Sequence, residues 1–276
     1  VLRGVQILDV FSLRWVQADL AVVDGRIVGI EPGLKAKRTF SGKGRYAVPG
    51  FVDAHVHVES SMMVPHHFQQ AVLPRGTTTA ICDPHELANV QGIQGIRYFL
   101  DEAQKLAMDL RVMLSSCVPA THFETNGGGS ILASRLRALR KHPKTLGLAE
   151  MMNVPGVLSG DRQVWDKLSA FSDSIIDGHC PLLSGPALSA YAAAGISSCH
   201  ESTRLEEARE KLTKGLAIWI REGSVAKDLK ALAPLLTPAS SARVGFCTDD
   251  RNPLDIAQEG HIDHLVRSAI REGVCR

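Results

Sequence analysis

From Ala47 onward the chain repeats one pattern: a short apolar run ends in polar residues, and a stretch with helical spacing follows it. The apolar runs are "AVPGFVDAH" (47–55), "TTTAICD" (77–83), "RVMLSSCV" (111–118), "TLGLAEM" (145–151), "SIIDGH" (174–179), "SSCHES" (197–202), "AIWIREG" (217–223) and "RVGFCTDD" (243–250). The helical stretches fall near 66–75, 88–107, 130–142, 161–171, 186–195, 204–215, 227–236 and 263–273. Short apolar strands bounded by Gly, Pro and polar residues are what a parallel sheet covered by helices requires. Eight such units close into a (β/α)₈ barrel of the TIM type. A doubly wound sheet usually has fewer strands and a Gly-rich phosphate loop after the first. No such loop follows the first run here, and "NGGGS" (126–130) reads as a flexible loop.

Residues 1–48 break the pattern. They hold short alternating or apolar runs around Asp24-Gly25, a hairpin turn signal. Two domains are therefore expected: 1–48 as the N-terminal part of a small, incomplete β-sandwich module, and 49–276 as the barrel.

The bulk composition excludes several classes of function. The chain is 45% hydrophobic and 22% charged, which supports a substantial core and argues against disorder. A net charge of +2 without a basic block gives no nucleic-acid signal. No apolar run approaches the ~20 residues of a membrane helix, and no secretory n- and h-region opens the chain. The six cysteines, Cys82, Cys117, Cys180, Cys199, Cys247 and Cys275, have long spacings and no CxxC, so they read as buried reduced thiols of a cytoplasmic protein.

The informative residues stand where the apolar runs end. In a (β/α)₈ barrel the C-terminal strand ends face the active site. Those ends carry His55-Val56-His57, Asp83, Glu150, His179, His200 and Asp249. His55 and His57 are two apart, so on a strand both imidazoles point the same way and reach one ion. Glu150 has two oxygens and can bridge two metals, while Asp249 can ligate one and still hydrogen-bond an attacking water. Four histidines and two carboxylates suit a pair of Zn²⁺, Mn²⁺ or Fe²⁺ ions, and two such ions generate a nucleophile at neutral pH. Any one of these residues alone is a weak signal; their joint placement at strand ends carries the inference.

These residues resemble the amidohydrolase superfamily, whose strand-one opening is matched by "VPGFVDAHVHVESSMM" (48–63). Within it the chain is similar to the adenine deaminase branch, through "GTTTAICDPHELANV" (76–90), "GLAEMMNVPGV" (147–157), "DGHCPLLSG" (177–185), "CHEST" (199–203) and "CTDDRNPLDI" (247–256). The resemblance implies a cytoplasmic enzyme of purine salvage that converts adenine to hypoxanthine and ammonia through a metal-bound hydroxide. It implies two divalent ions, Mn²⁺ or Fe²⁺ with Zn²⁺ as the alternative. His55 and His57 would bind the first ion, His179 and His200 the second. Glu150 would bridge them where many superfamily members use a carboxylated lysine, and Asp249 would be the strand-eight ligand and proton shuttle. Asp250 would support it. Asp83 and Glu86 would supply the acid that protonates or hydrogen-bonds a ring nitrogen. Asp83, His85, Glu86, Glu59 and Ser60 would contact the substrate. The partner is a small molecule, with no nucleic acid and no membrane; a family-like homodimer is compatible. Family members are about twice this length, so the chain is expected to be a piece of a longer protein. Two other readings stay open: a hydrolase of cyclic amides of the dihydroorotase or hydantoinase kind, against which Glu150 in place of the lysine argues, and an inactive barrel serving only as a scaffold.

Overall fold

The computed structural model describes residues 1–121 and 123–274. Cys275 and the last residue of the second expected domain, Arg276, lie outside the described residues. The chain separates into two compact units, Val1–Gly50 and Phe51–Arg276.

The first unit is one five-stranded sheet of β1 (Leu2–Asp9), β2 (Arg14–Val23), β3 (Arg26–Glu31), β4 (Phe40–Ser41) and β5 (Tyr46–Ala47). Strands β2 and β3 form the expected hairpin: Val23 pairs with Arg26 across Asp24-Gly25. Both turn residues have positive φ, 48° and 74°, the geometry that matches the twist of the flanking strands. Val5, Ile7 and Ala18 form its small core.

In the second unit all eight expected strands form. They are β6 (Phe51–Val56), β7 (Thr77–Cys82), β8 (Asp109–Leu114), β9 (Thr145–Met151), β10 (Ile175–Gly178), β11 (Ser198–Cys199), β12 (Ala217–Arg221) and β13 (Val244–Cys247). Strands β6 to β10 pair in parallel in sequence order, as do β11 to β13. Backbone hydrogen bonds join the two runs at both seams. Ser197 N donates to Ile176 O at 2.9 Å between β10 and β11. Asp249 N donates to His55 O at 2.9 Å, and His57 N to Asp249 O at 3.2 Å, between β13 and β6. The result is a (β/α)₈ barrel of the TIM type. Gly178 permits the first seam, because a Cβ there would lie 2.5 Å from Ser198 O.

The helices cover this ring with their apolar stripes. In Ile93–Ala103 the buried residues Ile96, Phe99, Leu100 and Ala103 recur at helical spacing. One expectation fails here. The single helix expected over 88–107 is two, His85–Gln91 and Ile93–Ala103, broken at Gly92 with φ 59° and ψ −142°. Only glycine adopts that conformation at little cost. The break makes room for Gly128 of "NGGGS", whose N donates to Asn89 O at 2.6 Å and where a Cβ would lie 2.3 Å from Ala88 O. Two further short helices, Val154–Ser159 and Pro253–Gln258, are too brief to show a period. Each announces itself only by an Asn cap and a Pro in its first turn.

Cys82, Cys117, Cys180, Cys199 and Cys247 are free and buried. Among the described residues no helix is long and apolar enough to cross a membrane.

The β13–β6 seam depends on Asp53, which is fully buried. It accepts from Thr248 N at 3.0 Å and Thr248 Oγ1 at 2.6 Å, and lies 3.1 Å from His261 Nε2. Replacing Asp53 by Ala strands these donors, so Asp53→Ala should lower unfolding free energy by about 3 kcal/mol. Urea denaturation measures this; a loss below ~1 kcal/mol would show that the seam does not need the carboxylate.

Candidate metal centre

The barrel aims six of the seven residues predicted at strand ends, all but Asp83, at one point. Asp53, His55 and His57 alternate along β6 and its end, so all three face inward. Glu150 lies within β9, His179 and His200 directly follow β10 and β11, and Asp249 stands two residues past β13. Except for His179, each of these residues is at least nine-tenths buried.

Glu150 organises the cluster. Its Oε1 faces the first histidine pair, 3.3 Å from His57 Nε2 and 3.7 Å from His55 Nε2. Its Oε2 faces the second pair, 2.6 Å from His179 Nδ1 and 3.4 Å from His200 Nε2. Asp249 Oδ1 completes the first group, 3.2 Å from His57 Nε2 and 3.6 Å from His55 Nε2. The ligand atoms of His55, His57 and Asp249 lie within 4.8 Å of one another, as do those of His55, Glu150 and His200.

Outer groups dictate which nitrogen faces inward. His55 Nδ1 lies 2.9 Å from Asp177 Oδ2, and His57 Nδ1 lies 3.0 Å from the carbonyl oxygen of Asp83. Both acceptors require an N–H on Nδ1, which leaves the Nε2 lone pairs aimed at each other 3.1 Å apart. Two carboxylate oxygens converge on the same spot, and Glu150 Oε1 has no hydrogen-bond partner there. Four acceptor atoms at this spacing repel unless a positive charge sits among them. A divalent cation supplies that charge, and neutral imidazole with carboxylate is a fitting donor set. In the metal-free state protons supply it instead. His57 is raised well above its ordinary value; burial opposes this, but Asp249 and Glu150 outweigh it. Likewise His200 is pushed up to about 10, against burial, by Glu150 and Asp249. Glu150 is held well below the usual carboxylate range, because hydrogen bonds from His179 and His200 outweigh its burial.

A cavity of about 160 Å³ opens over the cluster. His57, His85, Glu86, Glu150, His179, His200, Asp249 and Asp250 line it. Of the residues expected at the substrate, His85 and Glu86 face the cavity, whereas Asp83, Glu59 and Ser60 do not. Asp83 stands behind His85, its Oδ1 accepting from Ser115 Oγ at 2.5 Å and its Oδ2 lying 3.0 Å from His85 Nδ1. Ser60 Oγ donates to Asp250, tying the segment after β6 to the end of β13. Glu59 is partly buried beside Glu86, and desolvation together with that negative neighbour pushes it up to about 8. Glu86 is lowered; burial opposes this, and His57 and His85 prevail. Glu59 therefore keeps its proton at neutral pH while Glu86 is a carboxylate.

Sequence reasoning missed Glu201, Arg221 and Asp177. Arg221 Nη1 donates to Glu201 and, at 3.2 Å, to Asp249 Oδ2, while its Nε donates to Asp228 at 3.1 Å. It therefore fixes the outer oxygen of Asp249 and leaves Oδ1 for the histidines. Asp249 itself has φ 56°, a strained conformation for a non-glycine residue and of the kind that clusters at functional sites. "CHEST" and "AIWIREG" held the signal for Glu201 and Arg221: charged groups at strand ends, next to recognised candidates.

The raised Glu59 carboxyl makes a pH prediction. In metal-free protein the unfolded Glu59 ionises near 4.5, whereas the folded one keeps its proton to about 8. Between these values the native state binds more protons, so this group makes stability fall as pH rises. Glu59→Gln removes that fall, and its stability relative to the unmodified protein should improve from pH 5 to pH 8. Urea denaturation at the two pH values measures this; an unchanged difference would show that the fold does not raise Glu59.

Comparison with known proteins agrees with this geometry. Residues 46–273 match the Amidohydrolase family. A protein of Cereibacter sphaeroides named adenine deaminase is 55% identical over 273 residues, covering 99% of this chain and 48% of its own length. Proteins of the same name from Brucella suis and Gluconobacter oxydans are 53% and 54% identical over 274 residues, with 99% of this chain and 47% and 48% of their own lengths covered. The chain thus spans about half the length of these curated relatives. Among solved structures, a triazine hydrolase variant has a TM-score of 0.62 at 17% identity, covering 91% of this chain and 73% of its own. An atrazine chlorohydrolase mutant from Arthrobacter aurescens, complexed with zinc and atraton, has a TM-score of 0.62 at 18% identity, covering 91% of this chain and 72% of its own. These two show the fold alone. With a family match across most of its length and a strand-end cluster able to hold metal, the chain belongs to the amidohydrolase family.

Proposed function

We propose that the protein is an adenine deaminase, replacing the 6-amino group of adenine by oxygen from water and releasing hypoxanthine and ammonia. The observation that carries this is the division of Glu150 between two histidine pairs, on a chain whose relatives bear that name. His55, His57 and Asp249, with Glu150 Oε1, would hold one divalent ion; His179 and His200, with Glu150 Oε2, would hold the other. The donor set fits Mn²⁺, Fe²⁺ or Zn²⁺, and we favour Mn²⁺ or Fe²⁺. When bound, the pair supplies Lewis acidity and makes water a nucleophile at neutral pH.

The chain's own groups do the rest. Asp249 accepts the proton of the attacking water and passes it to the departing amine. Arg221 holds its outer oxygen, so the carboxylate keeps one orientation through both transfers. Glu86 lines the cavity, and its carboxylate accepts a hydrogen bond from a ring N–H of the base. Asp83 acts through His85, orienting that imidazole at the cavity wall. Acid–base help of this kind contributes about 10²–10⁴-fold. A cavity of about 160 Å³ is small beside drug-sized sites of ~300–1,000 Å³. It suits a free base.

Incubating Mn²⁺-loaded protein with adenine should release ammonia and hypoxanthine in equal amounts; ammonia release at the buffer rate would reject the reading. Asp249→Asn, assayed in excess Mn²⁺, should lose about 10²-fold or more in kcat, and turnover near that of the unmodified protein would exclude the shuttle role. His55→Ala with His57→Ala should lower the bound metal measured by mass spectrometry, and unchanged content would rule out the first ligand group.

A further inference from the structure

A second cavity, of about 270 Å³, lies beside the ends of β8 and β9 and the helix Arg162–Ala170. None of the six proposed ligands lines it. The two sites share a wall: Cys117 lines this cavity and places Sγ 3.6 Å from His85 Nδ1 on the metal side.

The unusual group is Lys167. It occupies an inward position of its helix, between Val164 and Leu168, and is only 8% exposed. Its Nζ donates to Ser116 O at 2.6 Å. An ammonium has three hydrogens to place, and a carbonyl offers no counter-charge. Among the described residues no carboxylate forms an ion pair with it. Asp161, on the same lining, is occupied in capping the helix through Val164 N at 3.1 Å. A buried unpaired charge is expensive, and a methionine would fill the same space without that penalty. Nearby, Asn153 Oδ1 accepts from Gly156 N at 2.9 Å, which leaves its amide Nδ2 as a donor on the cavity wall.

We propose that this cavity binds a small oxyanion, a carboxylate or phosphate group, through the Lys167 ammonium and the Asn153 amide. Burial lowers the Lys167 pKa, and the nearby Asp161 charge offsets only part of that effect. Glu124 and Asp161 on the same lining weigh against a highly charged ligand and favour a single anionic group. Ser116 stands between this site and the metal centre: its carbonyl accepts from Lys167 and its Oγ donates to Glu150 O at 2.6 Å.

The test is thermal unfolding of metal-loaded protein at constant ionic strength, with acetate in one arm and inorganic phosphate in the other. Lys167→Met and Asn153→Asp serve as variants. Asn153→Asp keeps the helix cap but sets a negative charge against the anion, so it reports even if Lys167→Met folds poorly. Anions also bind metals, but that contribution is common to all three proteins and drops out of the comparison. The unmodified protein should gain on the order of a few degrees in Tm that both variants lack. A larger gain in acetate identifies a carboxylate, and a larger gain in phosphate identifies a phosphate group. Equal gains in all three proteins, or no gain in any, would overturn the proposal.

Discussion

Four lone pairs pointed at one small volume are stable only with a positive charge among them, and the barrel mouth is built around that requirement. Glu150 Oε1, Asp249 Oδ1 and the Nε2 atoms of His55 and His57 all lie within 3.7 Å of another member of the group. Glu150 then repeats the demand on its other side, toward His179 and His200. Without metal, protonated histidines must answer it, which is why His57 and His200 are raised and Glu150 depressed.

The surrounding structure holds this arrangement against its own repulsion. Asp177 and the Asp83 carbonyl turn the two β6 histidines so that Nε2 faces inward. Arg221 clamps the outer oxygen of Asp249, whose backbone is held at positive φ by the seam hydrogen bonds to His55 and His57. Beneath them Asp53 stitches β6 to Thr248 and faces His261. At the β13–β6 seam, closure and ligand placement are thus one device: its hydrogen bonds are made by the backbone of His55, His57 and Asp249.

Strands were legible because a parallel strand covered on both sides must be apolar until it reaches the rim, where polarity begins abruptly. "TLGLAEM" shows this best, since β9 spans those same seven residues and ends beside the glutamate. The helix over 88–107 was misread because apolar spacing continues through Gly92, and only the approach of Gly128 from a distant loop explains the break. At the site, histidines were visible because four imidazoles at strand ends are unexpected. Arg221 and Glu201 were not, because an arginine and a glutamate at a rim look like ordinary solvated charge until the fold brings them together. Asp83 and Glu59 were legible as local residues but not in their orientation, which the packing of His85 and Glu86 decides.

The central claim is that one buried carboxylate is shared by two cations. X-ray diffraction from Mn²⁺-soaked crystals, with anomalous data at the manganese edge, tests it directly. Two anomalous peaks about 3.5–4 Å apart, each with a different Glu150 oxygen as ligand, are expected. A single peak, or peaks held by groups that exclude Glu150, would contradict it.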